Sequence, residues 1–414
     1  MTLDPRPFRQ AADWLAVGVA VSLPWSTSAT GILVALWLIA VIPTLTVDAL
    51  RRELFSAAGG LPVLLWALAV IGLLWATNAS WAERWNGLGS FHRLLLIPLL
   101  LAHFRQSARG VWVLYGFFVS VLILLLVSWG LILIPAMPWR GANPDVPGVP
   151  VKDYILQSTE FVICAFALFG YAFDNARAKQ QHLVIALIAL AALFLGNIFF
   201  VVSGRTTLLI APVLALLVGW RYFGWKGVVG AGIISCLIGI AVWFGSPYMH
   251  ARLEVSVSDL QSYRQSDESN PTGQHLEFLT KSLSFVASAP VFGHGTGSIP
   301  EQFRHAAAGQ TGAAAIASVN PHNQTFAVAI QLGLVGAAVL IAMWAAHLWL
   351  FIGNRLNDWI GMVVVVQNVI SSLFNSSLFD FSEAWLYVFG VGVIGGMVLR
   401  ERDTVPFERP IAQP

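Results

Sequence analysis

Charged residues are scarce in this chain of 414 residues. They make up only 11% of it, whereas 57% of the residues are hydrophobic and the mean hydropathy is +0.73. Soluble globular proteins contain about 25% charged residues, so the composition excludes that class. The formal net charge of +2 gives no indication of nucleic-acid binding, and none is expected. The chain is therefore predicted to be an integral membrane protein.

Cysteine is also scarce, since the chain contains only Cys164 and Cys236. Both lie in predicted membrane spans, where a small apolar residue is the ordinary interpretation, so they indicate neither a disulfide framework nor a metal site. An internal repeat is missing too. The inverted symmetry of many secondary transporters is therefore not supported.

Long hydrophobic runs, by contrast, recur along the whole chain. Runs of about 17 to 25 apolar residues are each long enough to cross roughly 30 Å of hydrocarbon as a helix. The first run lacks a small-residue cleavage site, so no cleavable signal peptide is predicted. The sequence predicts an all-α polytopic membrane protein with about twelve transmembrane helices, at 11–25, 29–46, 60–77, 88–104, 111–136, 156–173, 182–202, 206–221, 226–246, 323–351, 358–378 and 384–400.

The distribution of lysine and arginine predicts how these helices are oriented. Positive charge is concentrated at the termini and in alternate connections, as at Arg51, Arg105, Arg221 and Arg355, and short cytoplasmic loops carry such an excess. Both termini are therefore expected in the cytoplasm. This arrangement divides the chain into transmembrane helices 1–9 (1–246), an extracytoplasmic loop region (247–321), transmembrane helices 10–12 (322–400) and a cytoplasmic tail (401–414).

The loop region contains one clear helical pattern. Leucine or valine recurs at positions 276, 279, 283 and 286, which is the spacing of one helix face. An amphipathic helix over 274–288 is therefore predicted to lie on the outer membrane surface, with Glu277 and Lys281 on its more polar side. A turn is predicted at 270–273, and the glycine-rich run 293–297 predicts tightly turned backbone. Without a preceding buried strand, this run gives little indication of nucleotide binding.

Several arginines on the predicted outer face are hard to explain structurally. Arg205 occupies a short turn between two hydrophobic segments, Arg93 lies inside the fourth segment, and Arg84 lies just outside it. An ionisable residue at membrane depth is a functional hypothesis by default, although an arginine can also snorkel, and Arg93 could pair with Glu160. Together the three arginines predict a cationic cavity that opens outward.

Such a cluster of arginines is suited to phosphate, because guanidinium binds phosphate oxygens bidentately and stays charged. The outer loops contain neither a DxD pair nor an HExxH motif. Chemistry without a metal or other cofactor, on an anionic substrate held in lipid, is therefore expected, with arginine neutralising the charge on a departing diphosphate. Metal-ligand spacing is also missing among the loop histidines His250, His275, His294 and His305.

The segment Asn320-Pro321-His322-Asn323 stands where the polar loop meets the tenth hydrophobic run. A histidine in this place can exchange a proton with a water-borne group while it faces a substrate held in lipid. Since a sugar hydroxyl is a poor nucleophile, a neutral imidazole that accepts its proton is a candidate catalytic base. The alternative is a histidine at a helix start that is satisfied by Asn323 and backbone.

The residues around His322 resemble a family pattern. His322 and Asn323 are followed by nine residues and then by Gly333 and Gly336. The O-antigen ligases, within the wider O-antigen ligase and polymerase family, have histidine, then asparagine, serine or glutamine, nine residues, glycine, two residues, and glycine, threonine or tyrosine.

A second element resembles the same family. Arg205 with Leu209 is similar to its companion pattern of arginine, three residues and leucine, and 290–297 looks like the family's segment upstream of the histidine. The resemblance is close over roughly 200 to 345. It implies a GT-C-type glycosyltransferase of the bacterial inner membrane that transfers O-antigen from undecaprenyl diphosphate to lipid A-core at the periplasmic face. These two substrates and membrane lipids are the implied partners.

The resemblance also implies roles for individual residues. His322 would be catalytic, Asn323 would orient the acceptor, and Arg205 would bind the donor diphosphate. Many relatives carry an arginine directly before the amphipathic helix, where this chain has Gln274-His275. The nearest arginine, Arg264, is therefore expected to make the second diphosphate contact. Arg93 and Arg84 are expected to be further ligands of the diphosphate. Gly333, Gly336 and Leu209 are expected to be structural residues of the motifs.

Direct attack by the acceptor would invert the anomeric centre, whereas a covalent route would need a paired nucleophilic carboxylate. No such pair is obvious in the outer loops, so single displacement is expected. Three alternatives stay open: a polymerase of the same family, a protein O-oligosaccharyltransferase of the same family, and a flippase or exporter of lipid-linked glycan. The spacing after His322 favours the ligase.

Overall fold

The computed structural model describes residues 4–134, 148–177, 179–202, 204–245, 247–266 and 270–404. Every regular element in these ranges is helical, which confirms the predicted all-α class. Short 3-10 turns lie at Ile42–Thr44, His92–Leu95 and Gly312–Ala315, and a π-helical turn at Gly390–Ile394. The α-helices are α1 (Pro5–Ser22), α2 (Thr27–Val41), α3 (Val47–Leu54), α4 (Ala57–Gly72), α5 (Trp81–Phe91), α6 (Leu96–Phe104), α7 (Gly110–Leu133), α8 (Tyr154–Arg177), α9 (Gln181–Phe200), α10 (Arg205–Gly245), α11 (Pro247–Ser266), α12 (Pro271–Ser288), α13 (Ile299–Ala307), α14 (Gln324–Leu350), α15 (Leu356–Ser371), α16 (Phe381–Phe389) and α17 (Gly395–Thr404).

The chain is a multi-pass membrane protein. Among the described residues, eight helices are long and apolar enough to cross a membrane with α10 counted once, or nine if α3 and α4, bent by 80°, form one span. The twelve predicted spans also include α1, α4 and α15 and count the two arms of α10 separately. Helices α4 and α15 have only 16 residues each, or about 24 Å of helix. Helix α1 carries three charged residues, Arg6, Arg9 and Asp13.

Two of the predicted spans, 206–221 and 226–246, are the arms of one element, α10. Its helical path is broken at Gly224, which has a φ of 61°. A Cβ on Gly219 would stand only 2.3 Å from the carbonyl oxygen of Gly227, although a straight helix would separate these residues by about 12 Å. The arms are therefore antiparallel, and both ends of α10 lie on the same side of the bundle.

About half of the loops between helices lie at one end of the bundle, where polar contacts join them. Arg105 pairs with Glu53 at 2.9 Å and with Asp403 at 2.7 Å. Arg221 donates to the carbonyl oxygen of Gly353 at 2.7 Å. We call this the arginine end, and it gathers positive charges from the connections that were predicted to be cytoplasmic.

The other connections meet at the opposite end, which we call the His322 end. Lys152 donates to the carbonyl oxygen of Leu23 at the end of α1. The indole of Trp75 donates to the carbonyl oxygen of Phe292 at 3.2 Å. Residues remote in sequence, from the loops after α1, α4 and α12, are therefore brought together at this end.

The predicted amphipathic helix is α12, and it begins three residues earlier than expected. Asn270 caps it, because its Oδ1 accepts a hydrogen bond from the Gly273 N–H at 2.8 Å, and Pro271 occupies the first helical position. The segment predicted as a turn is therefore the cap and first turn of this helix. A further helix, α11, precedes it in the same loop region and was not predicted.

The two faces of α12 have different surroundings. Leu276, Leu279 and Leu283 are exposed on its outer side, as a helix that lies on a membrane requires. The opposite side packs onto the protein, and it includes Lys281, which is buried and donates to the carbonyl oxygen of Ala314. The polar side of the predicted helix thus holds it on the bundle.

Candidate active site

His322 lies at the entrance to α14 in a strained backbone conformation. Its φ is 53°, in the left-handed region that non-glycine residues rarely occupy. The Oδ1 atom of Asn320 holds it there by accepting a hydrogen bond from the His322 N–H at 2.9 Å. Strain of this kind costs about 1–3 kcal/mol and persists only where the surrounding structure fixes it.

Asn320 is itself fixed by the segment that follows α15. Its Oδ1 also accepts from the Ser376 hydroxyl at 2.7 Å, and its Nδ2 donates to Asn375 Oδ1 at 3.2 Å. The next turn is tied to the same segment, since the Gln324 N–H donates to the Ser372 carbonyl oxygen at 2.8 Å. Two loops distant in sequence thus hold the backbone of His322.

The imidazole of His322 rests against α12. It stacks on Phe278, with ring centres 5.8 Å apart and planes 10° from parallel, and it meets the ring of His275 at 4.6 Å. Burial, followed by the electrostatic effect of His275, lowers the pKa of His322 to about 4. The ring is therefore neutral at pH 7 and able to accept a proton.

This pKa can be measured with diethyl pyrocarbonate, which acylates neutral imidazole. Because the neutral form of His322 persists down to a pH of about 4, we expect its modification rate to stay constant from pH 7.5 to about pH 5 and to fall below that. Mass spectrometry of the His322 peptide would follow the rate, with a histidine reference peptide that titrates near pH 6.5 as the control. A midpoint near pH 6.5 for His322 would contradict the lowering of its pKa by burial and by His275.

Asn323 forms the N-cap of α14. Its Oδ1 accepts from the Phe326 N–H at 3.0 Å, and its Nδ2 donates to the Leu373 carbonyl oxygen at 3.0 Å. The cap satisfies one of the free amides of the first turn. Asn323 thus has a structural task beside the acceptor contact predicted for it.

The glycine-rich run packs against a break inside α14. The break falls at Gly333, with a φ of 64°, and it leaves the neighbouring backbone groups without helical partners. The run supplies them: the N–H groups of His294 and Gly295 donate to the carbonyl oxygens of Ile330 and Gln331 at 2.8 and 2.9 Å. The predicted close approach of backbone is therefore made to another part of the chain.

A polar cavity of about 560 Å³ opens beside Asn320. Its walls come from α5, α13, the glycine-rich run and the segment between α15 and α16. The charged residues among its lining are two carboxylates and one guanidinium, and Glu83 pairs with Arg304 at 2.6 Å, so it differs from the predicted cationic cavity. Its side chains with hydrogen-bonding atoms include Glu83, Asn86, Ser90, Asn375, Ser376 and Asp380.

Arg93 lies in the 3-10 turn between α5 and α6, close to this cavity. Its guanidinium donates to the carbonyl oxygens of Phe379 and Asp380 and lies over the ring of Phe381. The pair with Glu160 considered from the sequence is not formed, since within the described ranges both carboxylate oxygens of Glu160 are buried without a hydrogen-bond partner. Arg93 thus secures the start of α16.

Arg84, on α5 next to the lining residue Glu83, makes comparable contacts. Its Nε donates to the carbonyl oxygen of Ala79 at 3.0 Å, one terminal nitrogen donates to that of Leu73 at 3.1 Å, and the group lies over Trp81. Arg84 therefore ties α5 to the end of α4. Guanidinium has five donor hydrogens, so these contacts occupy part of its capacity.

The two arginines expected to bind diphosphate directly are placed by their backbone, and their side chains lie outside the described part of the structure. Arg205 begins α10 at the His322 end, and Leu209, one turn later, is 49% exposed. Arg264 lies on α11, next to Tyr263, whose hydroxyl donates to Glu277 of α12 at 2.6 Å. This contact places position 264 beside the first turns of α12.

Several residues that form this site had no role predicted from the sequence. Asn320 stood inside the motif, and an asparagine two residues before a left-handed residue is a recognisable turn signal. His275 was considered only as one of the loop histidines without metal-ligand spacing, although the helical spacing from 275 to 278 places it beside Phe278. No local signal joins Asn375 and Asp380 to the site, because they follow His322 by more than fifty residues.

Comparison with protein families gives a match over part of the chain. Residues 189–341 match the family described as O-antigen ligase, a range that includes Arg205, the glycine-rich run, His322 and Gly333. The match confirms the resemblance to the O-antigen ligase and polymerase family. It does not distinguish ligation from polymerisation. A comparison with curated proteins gave no match.

Proposed function

We propose that this protein is an O-antigen ligase of the bacterial inner membrane. It transfers a glycan from undecaprenyl diphosphate to lipid A-core at the periplasmic face, as a GT-C-type glycosyltransferase. The observation that carries this proposal is the neutral imidazole of His322, held in a strained conformation beside a polar cavity within the region of the family match.

The reaction is a single displacement that inverts the anomeric carbon. The oxygen of the acceptor hydroxyl forms a bond to this carbon as the bond to the diphosphate oxygen breaks, and undecaprenyl diphosphate leaves. The hydroxyl proton passes to the imidazole of His322. A pKa of about 4 makes His322 a weak base in the free protein, but a bound diphosphate raises it, because nearby negative charge favours the imidazolium form.

Arginine supplies the charge that stabilises the leaving group. Arg205 and Arg264 are the proposed primary ligands, since both lie at the His322 end on α10 and α11. Arg93 and Arg84 are further ligands through the donor hydrogens that their carbonyl contacts leave free. Asn323 is proposed to orient the acceptor while it caps α14.

A polymerase or a protein O-oligosaccharyltransferase would use the same donor and differ in the acceptor. A flippase or exporter of lipid-linked glycan would need arginines but no histidine base. The spacing from His322 to Gly333 and Gly336 supports the ligase among these possibilities.

The direct test uses purified protein in liposomes with undecaprenyl-diphosphate glycan and lipid A-core. We expect ligated product with EDTA present and without added nucleotide, because the donor's diphosphate ester supplies the energy. Product that forms only with a second lipid-linked glycan would replace the ligase by the polymerase. A requirement for Mg²⁺ would contradict the role given to arginine.

Replacing Arg205 or Arg264 with alanine is expected to weaken use of the donor. A charge-assisted hydrogen bond contributes about 1.5–3 kcal/mol, so kcat/KM for the donor should fall by roughly ten- to a hundredfold. Initial rates at varied donor concentration and saturating acceptor would measure this. Arg252→Ala, which changes an arginine of the same loop region with no assigned role, is the matched control. Unchanged donor kinetics in Arg205→Ala and Arg264→Ala would remove the diphosphate role.

A further inference from the structure

We infer that the polar cavity beside Asn320 binds the terminal sugar ring of the acceptor glycolipid. This inference rests on the proposed function and adds the location of the acceptor subsite. The cavity, at about 560 Å³, falls within the roughly 300–1,000 Å³ of sites that enclose small ligands.

The cavity has the groups that a pyranose needs. Sugar hydroxyls both donate and accept hydrogen bonds, and the lining offers amides at Asn86 and Asn375, a hydroxyl at Ser90 and a carboxylate at Asp380. Phe379 supplies an aromatic surface in the same cavity, against which the C–H faces of a sugar can pack. This mixture of apolar surface and a few polar groups is typical of small-molecule sites.

Several of these groups are available to a ligand. Across the described ranges, the side chains of Asn86 and Ser90 form no hydrogen bond. Asp380 accepts at Oδ1 from the N–H groups that begin α16, which leaves its Oδ2.

Other lining groups are fully engaged and make the walls rigid. Gln331 accepts from the Gly297 N–H at 2.7 Å and donates to the Ala327 carbonyl oxygen at 2.7 Å. Asn320 uses both of its amide atoms to hold His322 and the segment at 375–376. A cavity with fixed walls and free groups is preorganised for binding.

The charges of the cavity favour an uncharged sugar over the donor diphosphate. Glu83 and Asp380 contribute two carboxylates, and Arg304 is already paired with Glu83 at 2.6 Å and with Glu301 at 2.6 Å. The described lining residues therefore offer a diphosphate two carboxylates and one guanidinium that is already paired, which disfavours its binding against them. Arg93 and Arg84, the proposed further ligands of the donor, are not among the lining residues.

The position of His322 also separates the two substrates. Asn320 and Pro321 line the cavity, whereas the ring of His322 that follows them rests on Phe278 of α12. Arg264, proposed to bind the donor, lies on α11 against the same helix. We therefore assign the donor to the side of α11 and α12. The acceptor is assigned to the cavity lined by the two residues that directly precede His322, so that the imidazole lies between the two substrates.

Two neighbouring positions on α5 offer a matched test. Ser90 lines the cavity, so Ser90→Phe would fill it. At Gly89 no atom lies within 4 Å of an added Cβ, so Gly89→Phe would place the same ring in open space. Purified variants in nanodiscs would be titrated with lipid A-core alone and, separately, with undecaprenyl-diphosphate glycan alone.

We expect Ser90→Phe to weaken lipid A-core binding at least about tenfold and to leave donor binding within twofold, while Gly89→Phe changes neither. Asn86→Ala removes atoms without adding bulk and should raise the acceptor KM by roughly two- to tenfold, as expected for one lost hydrogen bond. If Ser90→Phe fails to fold, the acceptor KM of Asn86→Ala tests the inference in its place. Weaker donor binding, or unchanged binding of both substrates, would overturn the inference.

The outcome stays separable from that of the proposed function. If the wild-type protein extends a second lipid-linked glycan and does not modify lipid A-core, the ligase proposal fails. The same variants are then titrated with that glycan as acceptor. Loss of acceptor binding in Ser90→Phe alone would still support the cavity as the acceptor subsite, and no loss would overturn it.

Discussion

Replacing His322 with alanine is expected to lower the rate of glycan transfer by at least about two orders of magnitude, because general base catalysis contributes about 10²–10⁴-fold. The protein should still fold and insert, since the side chain is only partly buried. Single-turnover transfer in liposomes, with donor and acceptor above their KM values, would measure the effect on the chemical step.

A second substitution separates proton acceptance from orientation. Asparagine tolerates the left-handed backbone that His322 adopts, and its side chain can accept a hydrogen bond from the acceptor but cannot take the proton. We therefore expect His322→Asn to be as inactive as His322→Ala if the imidazole is the base. Substantial transfer by His322→Asn would show that the residue only orients the acceptor. His305→Ala, which removes an exposed loop histidine, is the control.

The sequence predicts helices well wherever hydrophobic length decides the structure. The hydrophobic runs at 111–136 and 182–202 correspond closely to α7 and α9, since a lipid environment forces apolar segments into helices. The reversal within α10 was also foreseen, because Arg221 and Lys226 divide the two hydrophobic runs. The 80° bend between α3 and α4 was not predicted, since hydropathy does not register it.

The candidate active site follows from the sequence only where its residues lie close together along the chain. His322, Asn323 and Gly333 form one local pattern, which runs from the entrance of α14 to the break inside it. The cavity joins Ser90, Gly297 and Asp380, whose meeting depends on the packing of remote helices. Only the folded structure shows this meeting, because hydropathy and spacing report on local segments alone.

The break in α14 explains why the motif carries a glycine eleven residues after its histidine. Gly333 has a φ of 64° and a ψ of −164°, a region that is essentially restricted to glycine. A Cβ there would stand 2.1 Å from the carbonyl oxygen of Val291. The residue thus serves the docking of the glycine-rich run, which in turn forms one wall of the cavity.

Gly333→Ala is accordingly expected to destabilise the protein by at least about 4 kcal/mol, the range reached when strain and overlap combine at one site. The N–H of Leu334 would lose its hydrogen bond to the Pro290 carbonyl oxygen, now 2.7 Å, as the loop moved away. The yield of monodisperse protein in detergent and its thermal unfolding midpoint would report the loss.

The matched control is Gly239→Ala in the second arm of α10, where no atom lies within 4 Å of an added Cβ. Alanine there replaces glycine in a regular helix, so stability should stay the same or rise by up to about 1 kcal/mol. A Gly333→Ala protein as stable as Gly239→Ala would show that the loop can separate from α14 without cost. The position of the cavity wall would then not depend on Gly333, and its rigidity would have to come from the hydrogen bonds of Gln331 and Asn320 alone.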